Sequence, residues 1–140
     1  MTFLGNLGCK YMKYDLKAIK RKNKSQALHL RRKARVRKIV VGTKERPRLS
    51  VFKSAKHIYV QAIDDTTQVT VASAGSLEAS IRDRAKGLKK VEVAKLVGEA
   101  IGARLKEANL SCAVFDRNGF RYTGRIAAVA DGARSCGLQI

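Results

Sequence analysis

The stretch RLSVFKSAKHIYVQAIDDTTQVTVASA, residues 48–74, decides the fold. Apolar and polar side chains alternate in it at the two-residue period of a half-buried strand. Arg48 to Lys53 reads as a first strand, with Leu49 and Val51 on one face. His57 to Asp64 reads as a second, with Ile58, Val60 and Ala62 on one face and His57, Tyr59 and Gln61 on the other. Ser54, Ala55 and Lys56 form a short hairpin loop between them. Asp64 to Thr67 is turn chemistry, because Asp and Thr side chains hydrogen-bond to nearby backbone. Gln68 to Ala74 completes a three-stranded meander.

Beyond the meander the period lengthens. Residues 75–90 are a polar connection with a short helix over Leu77 to Arg84. Lys89 to Ala108 is the clearest helix, with Val93, Val97, Ala100, Ile101, Leu105 and Ala108 along one stripe. Gly98 and Gly102 cost helix stability and are expected to let this helix approach the sheet closely. Ser111 to Phe115 is nearly all apolar, the pattern of a central strand covered on both faces. Gly124 to Ser135 is a last helix with Ile126, Val129, Ala130 and Ala133 inward, stopped at Gly137. Helix, strand and helix after a meander predict an α/β domain with a mixed sheet over residues 47–140.

Upstream of Pro47 the composition changes. The chain carries 30 Lys+Arg against 11 Asp+Glu, net +19 in 140 residues. Residues 1–46 hold fifteen of the basic residues and two acids, a net +13. Leu16 to Lys44 contains no acid and twelve Lys or Arg. Ala27, Leu28, Leu30, Ala34 and Val36 interrupt that charge, and no Pro or Gly falls within residues 9–41. A basic, partly helical arm that becomes ordered on a polyanion is therefore expected over 1–46, with nucleic acid as the first candidate.

Other classes of function fit poorly. The cysteines at 9, 112 and 136 show no paired spacing, which argues for a reducing compartment and no disulfide framework. Cys112 is expected to be a buried apolar residue. No apolar run is long enough to span a bilayer, and the arm lacks Trp and Phe on an apolar face, so no membrane partner is expected. Met1 to Gly8 has the wrong charge order for a secretory signal, and Met12 is a candidate start. His29 and His57 have no second ligand at metal spacing. No cofactor and no paired-carboxylate site is expected.

The most informative loop is Asp116 to Arg125. Gly119 and Gly124 have the glycine spacing of a phosphate-binding loop, but Arg125 and Ile126 stand where that loop needs Lys and Ser or Thr. What remains is Arg117, Arg121 and Arg125 interleaved with Phe120 and Tyr122 at a helix start. Arginine pairs with phosphate and aromatic rings stack on unpaired bases, so this loop reads as an RNA contact.

Three stretches in order resemble a known family: Arg46 to Asp65, Lys90 to Gly98, and Val114 to Arg125 with Ala130 to Arg134. Together they look like the bacterial-type large-subunit ribosomal protein eighteen family, the 5S rRNA binders. The resemblance implies a three-layer α/β domain related to the ribonuclease-H-like motif, preceded by a basic N-terminal arm. It implies a structural protein of the ribosome, cytoplasmic or else organellar, not an enzyme, that binds 5S rRNA and helps attach it to 23S rRNA in the central protuberance, beside ribosomal protein five. Carried onto this sequence, the RNA contacts are Arg31, Arg32, Lys33, Arg35, Arg37 and Lys38 in the arm. Arg48, Lys53, Ser54, Lys56, His57 and Tyr59 follow from the meander, and Arg117, Arg121, Tyr122 and Arg125 from the late loop. Thr123, Ala55 and Ala127 depart from the family's usual His, Asn and Lys, which thins the expected footprint. A competing reading is a nucleic-acid-processing enzyme on a ribonuclease-H-like fold. Such an enzyme needs carboxylates converging on metal ions, and here the acids fall mainly on turns and on a helix.

Overall fold

The computed structural model describes residues 16–140; the readings placed on Cys9 and Met12 lie outside them. The basic arm contains two helices, α1 (Leu16–Lys22) and α2 (Lys24–Arg37). Asn23 divides them: its side chain accepts a hydrogen bond from Gln26 N–H at 3.1 Å and caps α2. The meander follows as β1 (Arg48–Lys53), β2 (Ile58–Asp64) and β3 (Val69–Gly75). Then come α3 (Ala79–Arg84), α4 (Lys90–Glu107), β4 (Val114–Asp116) and α5 (Arg125–Ser135).

The four strands form one mixed sheet in the order β3-β2-β1-β4. β1 and β2 are antiparallel with Leu49 opposite Ala62 and Val51 opposite Val60. These four side chains are fully buried, so the alternating pattern sets both register and inner face. The core continues through Val97, Ile101 and Leu105 of α4 and Ile126, Val129 and Ala133 of α5. The other sheet face carries Ser50, Phe52, Tyr59 and Gln61, and the arm helix meets its end through Phe120.

Three expectations require correction. β4 is an edge strand, paired only with β1 and parallel to it, with Val114 and Phe115 half-buried. Cys112 is likewise half-exposed, its thiol 3.6 Å from Gln139 Oε1. An apolar run reports burial of some side chains and says nothing of lateral order: Ala113 is buried, while Cys112 before it bridges to Gln139 and Val114 after it pairs with β1. Gly98 and Gly102 approach a helix, not the sheet. A Cβ on Gly98 would lie 2.9 Å from the Val129 carbonyl carbon and closer still to its oxygen. Gly132 of α5 makes the reciprocal approach, 3.0 Å from Glu99 N. Three glycines thus seat α4 and α5 backbone against backbone, and the buried stripe of α4 turns toward Ala94, Gly98 and Gly102.

Candidate nucleic-acid interface

Three segments far apart in sequence meet at one end of the sheet. The first is α2, which lies against the late loop. Arg32 Nε donates to Gly119 O at 3.0 Å, and the His29 ring sits 4.6 Å from that of Phe120. Gly119 is required here twice over. Its φ is +79°, and a Cβ would stand 2.8 Å from His29 O and 3.0 Å from Lys33 Cβ. The second segment is the β1–β2 hairpin. Lys53 Nζ lies 5.4 Å from the Phe120 ring centroid, a cation–π distance. The third is the late loop itself, where Arg117 donates to Phe120 O at 2.9 Å and Arg125 to Ser54 O at 3.1 Å.

Phe120 is therefore the pivot, partly buried and touched by arm, hairpin and loop. At His29 the charged form is disfavoured. Burial lowers its pKa first, and the neighbouring charges of Arg32, Lys33 and Lys53 lower it further.

A second junction ties the arm to the sheet. Arg48 makes a bidentate pair with Asp65 (Nε to Oδ2 2.8 Å, Nη2 to Oδ1 2.9 Å) and reaches Asp116 Oδ2 at 2.9 Å. Arg37 at the end of α2 adds a 2.8 Å contact to Asp65, and Gly42 N–H donates to the same carboxylate at 2.8 Å. Burial alone would raise the Asp65 carboxyl. The Arg48 and Gly42 hydrogen bonds and the charges of Arg48 and Arg37 outweigh it and hold its pKa at about 2. Asp116 Oδ1 accepts from Asn118 N–H at 2.8 Å, so the same network fixes the first turn of the late loop.

This geometry sorts the expected contact residues. Arg31, Lys33, Arg35, Lys38, Lys56, Arg121 and Tyr122 are exposed. Arg32, Lys53, Ser54, Tyr59, Arg117 and Arg125 are half-buried around Phe120 and the hairpin. His57 is half-buried with Nδ1 3.2 Å from Ser76 Oγ, and Tyr122 OH accepts from Arg134 at 3.0 Å. Arg37 is engaged with Asp65. Arg48 is a correction: it is 7% exposed and its guanidinium is taken up by two carboxylates, so it builds the scaffold and has no fork to offer a phosphate. The sequence reading also passes over Phe52, which is 52% exposed on the open sheet face. The available signal was its pairing with Tyr59 on the outward side of the alternation.

A cationic helical arm pinned on an α/β sheet, with its nearest carboxylates spent on arginine, is the build of a structural protein that grips a polyanion. Residues 20–140 match the family described as "Ribosomal L18 of archaea, bacteria, mitoch. and chloroplast". The chain is 53% identical over 119 residues to the "Large ribosomal subunit protein uL18" of Desulfosudis oleivorans, covering 84% of this chain and 96% of the relative. The protein of the same name from Myxococcus xanthus is 56% identical over 110 residues, 79% and 92% of the two chains. That from Thermotoga petrophila is 50% identical over 121 residues, 86% and 98% of the two chains. The chain belongs to the ribosomal L18 (uL18) family. It is a structural, non-catalytic constituent of the large ribosomal subunit. The enzyme reading is set aside by that membership. No described helix is long and apolar enough to cross a membrane.

Proposed function

We propose that this protein binds 5S rRNA and helps attach it to 23S rRNA in the central protuberance, beside ribosomal protein five. The observation that carries the reading is the convergence of arm, hairpin and late loop on Phe120. It gathers Arg32 of the arm, Lys53 of the hairpin and Arg117 of the loop around one ring and its flanking residues. Arg31, Lys33, Arg35 and Lys38 lie along α2, with Lys53 and Lys56 on the hairpin and Arg117, Arg121 and Arg125 on the loop.

The mechanism is electrostatic and geometric. Cations replace the condensed counterions of crowded phosphates, and the released ions drive binding. A rigid cluster contributes more than a flexible tail of equal charge, because less conformational freedom remains to be lost on binding. The Arg48 network and the Phe120 pivot supply that rigidity. Residues 1–46 then act as an arm that reaches into RNA, and residues 47–140 as the body that sets its direction. Chemical footprinting of 5S rRNA with the full chain tests the reading. Protection confined to a few contiguous helices, lost when Lys33, Arg35 and Lys38 are changed together to Ala, is expected. Uniform weak protection along the whole RNA would overturn it.

A further inference from the structure

We infer that Phe52 and Tyr59 form a stacking seat for one unpaired nucleobase of the bound RNA. The inference rests on the RNA-binding reading above, which already counts Tyr59 among the RNA contacts, and adds Phe52 and the stacked base. The two rings stand opposite each other on adjacent strands, with centroids 6.5 Å apart and planes 30° apart. Tyr59 lies flat on the sheet over Gly75, where a Cβ would come within 2.7 Å of its Cδ1. Any other residue at 75 would push that ring off the surface. Phe52 is braced from the side by Phe120, at 6.3 Å and 69°, and still leaves about half of its surface to solvent. Phe52 is thus held open and Tyr59 half-open on a sheet whose opposite face carries the core.

The next row on the same face decides the occupant. Ser50, Gln61 and Ser73 lie side by side across the three strands, two residues along from Phe52, Tyr59 and Gly75. Hydroxyls and an amide beside flat rings suit a nucleobase, which offers a π-face and a hydrogen-bonding edge. Charge agrees. Lys53 stands beside Phe120 at one end of the aromatic row, and Lys56 is exposed in the adjoining hairpin. The carboxylates at the other end of β1, Asp65 and Asp116, are paired with Arg48. A phosphate attached to a base seated here would meet cations and no uncompensated acid.

The test uses the full chain, a 5S rRNA transcript, and the variants Phe52→Leu and Phe52→Tyr. Leucine keeps the apolar cover and removes the ring; tyrosine keeps the ring. Stacking on one base predicts that Phe52→Leu binds about tenfold more weakly at fixed salt, while Phe52→Tyr binds like the parent. The slope of affinity against salt should be the same in all three, because no phosphate contact changes. Base-specific chemical probing should show one unpaired base shielded by the parent and by Phe52→Tyr, and reactive again with Phe52→Leu. Equal affinity and equal shielding in all three would overturn the inference while leaving the RNA reading intact. If the parent itself has no preference for 5S rRNA, both fall. Should Phe52→Leu fail to fold, Tyr59→Leu carries the same test with the same outcomes.

Discussion

Asp65→Asn isolates the junction that fixes the arm on the body. The change keeps the side chain's shape and its capacity to accept from Gly42 N–H, and removes one negative charge from between Arg48 and Arg37. The magnitude follows from the titration of the parent. Its carboxyl sits at about 2, against an ordinary 3.8. At 1.36 kcal/mol per pH unit, that depression is worth about 2 kcal/mol of stability at neutral pH. Removing one partner of a buried pair costs roughly 3–5 kcal/mol, and Arg48 keeps Asp116, so the lower end applies. The variant should therefore be destabilised by about 2–3 kcal/mol at pH 7, a fall in Tm of roughly 10 °C for a chain of this size. A depressed carboxyl stabilises above its unfolded pKa and loses that contribution as pH falls through its folded pKa. Urea denaturation followed by circular dichroism should give a constant gap between parent and variant down to about pH 5. The gap should close between about pH 4 and pH 2. A gap under about 0.5 kcal/mol at pH 7, or one that persists undiminished at pH 2, refutes the reasoning.

Three further outcomes are expected. Gly98→Ala gains about 1 kcal/mol in helix propensity but drives a methyl into the Val129 carbonyl. Overpacking costs about 1–3 kcal/mol or more, so urea melts should show net destabilisation, and a stabilised variant would contradict the α4–α5 contact. His29 should titrate by NMR below 6.5, since burial and then Arg32, Lys33 and Lys53 all disfavour its charged form. Docking of α2 should accordingly be complete above pH 6.5 and weaken as pH falls through the lowered value, whereas a normal or raised pKa would unseat His29 from Phe120. Arg121→Ala, at an exposed position, should weaken RNA binding and reduce the salt slope by about one, with thermal stability unchanged. An unaltered slope would remove Arg121 from the phosphate contacts.

The meander was legible because its period is two and its inner face is strictly apolar. Leu49, Val51, Ile58, Val60 and Ala62 each stand on the face that the alternation assigns. The lateral place of β4 was not legible, since pairing with β1 joins residues more than sixty positions apart and leaves no local mark. Arg48 illustrates the same limit at the candidate interface. In sequence it is one more cation in a basic stretch; only folding brings Asp65 and Asp116 to it and withdraws it from solvent. The glycine spacing at 98 and 102 announced a close approach, but the sequence assigned it to the sheet; the partner is α5, and nothing local to either glycine distinguishes the two. The break at Asn23 between α1 and α2 went unread, although an Asn ahead of a helical run is a capping signal.

The account stands most directly on selective recognition of one RNA. Competition binding of the full chain at near-physiological salt, 5S rRNA against an unrelated hairpin of equal length, measures it. A preference for 5S rRNA of about a hundredfold or more is predicted, together with a loss of roughly three to five orders of magnitude in affinity as salt rises from low to moderate concentration. Equal affinity for the two RNAs would contradict the central claim, however strongly either one binds.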